Sequence, residues 1–490
     1  MSLKQKAIQG VIWSAIQQWG GQAGSLIVFL ILARLLSPEA FGLVALANVF
    51  LAFMKIFLEQ GFAQALIQRQ EIEPEHLDTA FWTHVISGIL LTVISFTCAG
   101  LVAAVFKQPQ LTAIIKCLSF VFTINSLSHV QKALLARKFA FKVMAVRALI
   151  GIIIGGTVGI VMAFLGFGVW SIVSQQLVDV TVEVMVLWGA SNWRPRLSFS
   201  GTHFRELYRF GINILGFQFL NFFNRRTDDL LIGYFLGEVA LGYYVVAYRI
   251  LQVMTQLLVS TSKQVALPTF SRLQTDLSRL RQAFYQATQF TSSIAFPSFF
   301  GVIALAPELV IFLFGDKWLA SISVLQVLAL AGILQSIAFF NGSVFMAVGK
   351  PAWRLYISLL NAVLNAIACL IAVRWGIVAV AWGYVISSYL AFPVTQWAVS
   401  KLVKIAPLAY LQKFLTPLIG SLVMFGLILS IKSLLINFIE VKILLIIAGS
   451  VVGIIVYSLT IRLLEPKLFK SLVAILQLVI SKNKKVSLKN

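Results

Sequence analysis

Charge is what this chain lacks most. Asp, Glu, Lys and Arg make up 11% of its 490 residues, against roughly a quarter in a soluble domain. That excludes a large water-solvated fold. Cysteine is scarce too: Cys98, Cys117 and Cys369 all sit in apolar runs, with neither a pairing pattern nor metal spacing. They exclude a disulfide scaffold and read as small core residues. No His, Cys or carboxylate set along the sequence has the spacing of a metal site, so no metal is expected. No Gly-rich phosphate loop precedes a Lys and a Ser or Thr, which argues against transport driven by ATP on this chain. Catalytic residues and cofactors are expected to be absent.

What the chain has is apolar length. Hydrophobic residues are 59% of it, in runs near the 20 residues that match a bilayer's hydrocarbon thickness. The runs lie at 11–36, 40–66, 80–106, 111–134, 143–165, 168–189, 208–236, 240–262, 287–314, 319–347, 353–374, 376–400, 412–431 and 441–463. They are too long and unbroken for the ten-residue alternation of a barrel. The reading is an all-α polytopic membrane protein with about 14 transmembrane helices. Gln17, Gln18 and Gln22 interrupt the first run, which has no small-residue cleavage site and reads as a retained helix.

The formal charge of +22 would suggest nucleic acid in a soluble protein. Here it follows the membrane. With the N-terminus inside, the outer segments hold Arg34, Lys107, Lys116, Lys317, Arg374, Lys432 and Lys442. Nearly all the remaining Lys and Arg fall inside, the asymmetry that orients membrane proteins. Both termini are therefore expected in the cytoplasm, with no nucleic-acid partner.

The chain also repeats itself at an offset of 200. Leu36, Ala40, Gly42 and Ala47 match Leu236, Ala240, Gly242 and Ala247, and Ile12, Gln18, Leu30 and Leu51 match Ile212, Gln218, Leu230 and Leu251. Parallel repeats about an axis along the membrane normal are a transporter architecture. The expected divisions are an N-terminal lobe (1–192), a C-terminal lobe (193–404), two further helices (405–465) and a basic cytoplasmic tail (466–490). The tail opens as an amphipathic stretch, Lys467 to Ile480, that would lie on the membrane surface or in solvent.

Ionisable groups in hydrocarbon are functional candidates by default, and the seventh run is richest in polar residues. At roughly 100° per residue, Gln218, Asn221, Asn224, Arg225, Asp228 and Asp229 share an arc of about 140°, with Arg226 just beyond its edge. This face is expected to meet water or partners, with Arg225 and Asp229 as an i,i+4 pair. Arg249, Gln252 and Gln256 line the eighth run, and Gln176, Asp179 and Glu183 the sixth. Lys55 and Glu59 sit in the second, and Gln18 in the first. His84 and His129 stand alone and read as packing residues. Glu308, behind Pro307, is expected near the outer surface, and Pro297 with Gly301 marks a possible hinge. The outer loops, such as Gly166-Phe167-Gly168, are too short to hold the catalytic groups of a membrane polysaccharide polymerase or ligase.

The stretch from Leu32-Ala33-Arg34-Leu35-Leu36-Ser37-Pro38-Glu39-Ala40-Phe41-Gly42 to Gln60-Gly61-Phe62 resembles the opening of bacterial polysaccharide-export flippases. These are members of the multidrug/oligosaccharidyl-lipid/polysaccharide (MOP) superfamily. The segments Arg225-Arg226-Thr227-Asp228-Asp229-Leu230-Leu231-Ile232-Gly233, Ala240-Leu241-Gly242-Tyr243-Tyr244 and Gly349-Lys350-Pro351 continue the likeness, which covers about residues 5–400. The nearest subgroup looks like exporters of colanic-acid or teichuronic-acid type. The resemblance implies two six-helix lobes related by a pseudo-two-fold axis around a central cavity, alternating access, and a bacterial inner-membrane location. It implies a polyprenyl-diphosphate-linked oligosaccharide as substrate, with membrane lipids around it and a polysaccharide polymerase and chain-length machinery as partners. Arg225, Arg226 and Arg249 would then attract the diphosphate, and Gln18, Gln218, Asn221 and Asn224 would bind sugar hydroxyls. Glu59, Asp179, Asp228 and Asp229 would be ion-coupling candidates, although Asp228 and Asp229 also neutralise the arginines locally. Lipid II flippases and drug/cation antiporters share the superfamily and remain alternatives.

Overall fold

Glycine and proline mark many, but not all, of the helix ends. In a computed structural model that describes residues 3–58, 61–69, 71–435, 441–474 and 477, the first ten helices are α1 (Leu3–Leu35), α2 (Pro38–Leu58), α3 (Phe62–Gln68), α4 (Pro74–Val105), α5 (Gln110–Ser126), α6 (His129–Arg137), α7 (Phe141–Phe164), α8 (Val169–Ala190), α9 (Gly201–Phe235) and α10 (Gly237–Arg272). They are followed by α11 (Leu277–Phe314), α12 (Ala320–Ala338), α13 (Asn341–Ala347), α14 (Pro351–Ala372), α15 (Ile377–Val403), α16 (Pro407–Leu435) and α17 (Lys442–Leu464). The described residues contain no strand. The run read as one span over 40–66 is two helices, because Gly61 takes φ 76°, a left-handed conformation open to glycine at little cost. The runs at 111–134 and 319–347 are likewise divided, into α5 and α6 and into α12 and α13.

Among the described residues, twelve helical segments are long and apolar enough to cross a membrane, and the protein is a multi-pass membrane protein. α9 and α10 are not among the twelve, although they run for 35 and 36 residues. α9 carries Arg225, Arg226, Asp228 and Asp229 within one and a half turns. Side chains such as Leu101, Phe164 and Leu463 are exposed on their helices, as lipid-facing positions require.

The chain forms two compact units, Met1–Val245 and Val246–Asn490. In the first, α7 packs against α1 and α8, and α4 against α5. Phe62, Phe81, Val130 and Leu207 build a core among α3, α4, α6 and α9. The linker after α8 is stapled to the start of α4: Trp82 Nε1 donates to the Arg196 carbonyl (2.7 Å), and the Arg196 amide donates to Asp78 (3.0 Å).

The repeated loops meet within this unit. A Cβ on Gly42 would collide with the backbone carbonyl of Glu238, and one on Gly242 with that of Pro38. Two repeat-related turns thus approach backbone to backbone, each through its own glycine.

In the second unit, α11 packs against α12, α16 and α17. It stays helical through Pro297 and Pro307, and α17 and α12 supply the reason. A proline lacks the N–H that would bond the carbonyl four residues back. The carbonyl freed by Pro297 is that of Ser293, which accepts from Tyr457 Oη of α17 at 2.7 Å. The one freed by Pro307 is that of Ile303, which accepts from Gln326 Nε2 of α12 at 3.1 Å. Neighbouring helices so complete the backbone of a proline-containing span. Tyr457→Phe removes one donor, and an unsatisfied buried carbonyl costs about 1–3 kcal/mol. A lower thermal unfolding temperature is expected for Tyr457→Phe, and an unchanged one would show that Ser293 needs no partner. Before α11, Asp276 caps the helix: its carboxylate accepts the Ser278 hydroxyl and the Ser278 and Arg279 amides. The Ser278 hydroxyl, and then the Arg279 amide, hold it below the usual carboxylate range. Of the tail, residues 466–474 are helical, and the basic end from 478 lies outside the described residues.

Candidate functional site: the polar face of α9

The apolar side of α9 fixes the direction of its polar side. Phe222 is buried against Val49 and Ile56 of α2, and Phe53 and Phe57 stack edge-to-face on Phe219 and Phe222. At Gly233 a Cβ would strike Leu46, so α9 and α2 approach closely there.

The polar residues then separate into two sets. Asp228 and Asp229 are buried, with 3% and 5% exposure. Asp229 Oδ2 pairs with Arg226 Nη1 at 2.9 Å. Asp228 Oδ2 accepts from Tyr244 Oη at 2.8 Å, a tyrosine from the first turns of α10. Arg225 is exposed and has no partner among the described residues. Gln218, Asn221 and Asn224 are half-buried along the same helix. The expected Arg225–Asp229 pair is therefore replaced by Arg226–Asp229 at i,i+3. Both spacings put side chains next to each other on a helix. Burial of Asp229 beside α2 selects the arginine on its own side. The Arg226–Asp229 pair and the Tyr244 bond neutralise and hold the carboxylates, leaving Arg225 as the available cation.

The other candidates are carried by other helices. Gln18 is half-buried on α1. Asp179 projects from α8 towards α7, where Gly151 and Gly155 leave room: a Cβ at either would crowd Asp179. Its Oδ1 is buried and unpartnered. One turn on, Glu183 pairs with the buried Arg147 at 2.6 Å and lies 4.0 Å from Lys132. Arg249 is half-buried in the second unit. Glu59 lies outside the described residues.

Three arrangements escaped the sequence reading because they join distant segments. His84 and His129 do not stand alone; their rings stack at 4.3 Å, His84 buried without a hydrogen-bond partner. Helix breaks at 126–129 turn His129 onto α4. Glu73, His76 and His203 also come together, with potential ligand atoms within 4.8 Å of one another. Their position beside Arg69 and Glu206, which pair with each other, makes the group a clasp between the starts of α4 and α9. Glu308 is buried, with 3% exposure, and pairs with Lys432 of α16 at 2.9 Å.

This helical layout, with charge confined to a few faces, defines a polytopic membrane transport fold. Solved structures agree on the fold. The lipid II flippase MurJ in its inward closed conformation matches with a TM-score of 0.77 at 18% identity, covering 94% of this chain and 99% of that one. An inward-facing multidrug resistance MATE transporter of the MOP superfamily matches with 0.63 at 16%, covering 81% and 99%. The sequence pattern of the polysaccharide biosynthesis protein family covers residues 31–323, and the chain belongs to that family. Among curated relatives, the succinoglycan biosynthesis transport protein ExoT of Rhizobium meliloti is 29% identical over 95% of this chain and 94% of its own. The teichuronic acid biosynthesis protein TuaB of Bacillus subtilis is 25% identical over 85% and 87%. The lipopolysaccharide biosynthesis protein WzxC of Escherichia coli is 29% identical over 71% and 72%.

Proposed function

We propose that the protein is a flippase, and not an enzyme, that moves a polyprenyl-diphosphate-linked oligosaccharide from the cytoplasmic to the outer leaflet of a bacterial inner membrane. The observation that carries this reading is family membership, joined to similarity over 71–95% of this chain to proteins of polysaccharide biosynthesis and transport. The fold is shared with a lipid II flippase and with drug transporters, so the fold does not choose the substrate; the family does.

In this reading both termini are cytoplasmic, and the residues up to 404 form two six-helix lobes divided near 192, followed by two further helices. The diphosphate is drawn by Arg225, with Arg226 and Arg249 as further cations. An arginine fork suits phosphate oxygens. Gln18, Gln218, Asn221 and Asn224 bind sugar hydroxyls, while the polyprenyl tail stays in lipid. Asp228 and Asp229 are already engaged by Tyr244 and Arg226. Asp179, with its unpartnered oxygen, is the stronger ion-coupling candidate, ahead of Glu59. A polymerase and chain-length proteins would consume the delivered units.

Arg225→Ala with Arg226→Ala is expected to lower glycan export about tenfold or more, since one hydrogen bond to a charged group is worth about 1.5–3 kcal/mol. Asp229→Asn belongs in the same variant, so that no buried carboxylate is left unpaired. Normal export at normal protein level would remove the arginines from diphosphate binding.

A further inference from the structure

A second polar site lies wholly within the second unit. The end of α10, the first half of α11, Phe340 and the helix at 466–474 enclose a cavity of about 810 Å³, within the range of small-molecule sites. Its walls are largely apolar, with Phe270, Phe290 and Phe340 contributing rings. Its polar groups are few and differ in state. Thr291 lines the cavity and is 2% exposed, yet its hydroxyl has no hydrogen-bond partner. That oxygen is itself shielded, so Thr291 belongs to the wall of the cavity and not to its binding groups. Glu465 is fixed by Gln289, whose Nε2 donates to both carboxylate oxygens at 3.0 and 3.2 Å. Two residues on, Lys467 lines the same opening, is exposed and makes no ion pair among the described residues.

These groups sit where α17 ends, at Leu464, so the cavity opens at a membrane boundary with its aromatic walls on the helices. An occupant must be apolar over most of its length. It must also present both an anion for Lys467 and a cation for Glu465. A free phosphate lacks the apolar part and the cation.

We propose that this cavity binds a phospholipid of the ethanolamine type. The phosphate lies at Lys467 and the ammonium donates to the lone pairs of Glu465 left by Gln289. An acyl chain lies against Phe270, Phe290 and Phe340. A trimethylammonium head cannot donate to Glu465, and a glycerol head brings no cation, which sets the preference among headgroups. By the distribution of Lys and Arg, this boundary faces the cytoplasmic leaflet. The site is independent of what the protein transports.

The test is native mass spectrometry of the delipidated full chain titrated with phosphatidylethanolamine, phosphatidylcholine and phosphatidylglycerol of identical acyl composition. One ethanolamine lipid per chain should be retained in preference to the other two. Glu465→Gln and Lys467→Glu should each weaken that binding about tenfold or more, as the loss of a hydrogen bond to a charged group implies. Unchanged unfolding temperatures in lipid-free detergent would show both variants folded; if one does not fold, the other decides. Equal retention of all three lipids, unaltered binding in the folded variants, or no retained lipid would overturn the proposal. So would displacement of the lipid by polyprenyl diphosphate, which would assign the cavity to the transport path.

Discussion

Lys432→Met is expected to destabilise the second unit by about 3–5 kcal/mol, because it leaves Glu308 buried and uncompensated. The Lys432 ammonium lies 2.9 Å from Glu308 Oε2, and the two side chains are 18% and 4% exposed. It also donates to the Ala304 carbonyl at 3.3 Å, one turn before Glu308. The attraction between the charges only offsets the cost of burying both. Adding Glu308→Gln to Lys432→Met removes the uncompensated charge and should recover most of the loss. Thermal unfolding of the purified variants measures this. A single variant as stable as the parent, or a double variant no better than the single, would contradict the pairing.

Gly242→Val, and separately Gly42→Val, should reduce transport about 10–100-fold with less effect on folding. Each glycine admits the partner turn's carbonyl where a side chain would stand. Forcing carbon into such a contact costs about 1–3 kcal/mol. Backbone, unlike a rotamer, has little room to give. A penalty of that size on one state of a cycle shifts its population by about 5–150-fold. Gly426→Val is the control, since a Cβ there meets nothing within 4 Å. Transport assayed at equal protein level decides the matter. Normal transport by both variants would mean that the contact of the two turns is not needed.

The sequence carried the helical class and the membrane because apolar length is a local property. It also exposed the pair of turns that meet, since Gly42 and Gly242 stand at equal positions in the two copies. Helix breaks were harder to read. Gly61 turns the backbone into the left-handed region, a break that the apolar pattern does not show. Periodicity put Asp228 and Asp229 on one arc but could not tell which arginine would pair. That choice depends on α2 and on Tyr244, which lies 16 positions from Asp228. The His84–His129 stack, the Glu73–His76–His203 clasp and the Glu308–Lys432 pair join residues that spacing along the chain cannot connect. Pro297 looks like a hinge in sequence; Tyr457 turns its site into a helix–helix contact, as Gln326 does at Pro307.

The flippase reading is tested most directly in proteoliposomes holding a fluorescent polyprenyl-diphosphate oligosaccharide, with a membrane-impermeant quencher reporting each leaflet. A protein-dependent rise in quenchable signal is expected, reduced in the Arg225→Ala, Arg226→Ala, Asp229→Asn variant. Lipid II is expected to move more slowly than the matched oligosaccharide. No movement of any glycan head under ion gradients of either sign, with correctly inserted protein, would contradict the flippase reading.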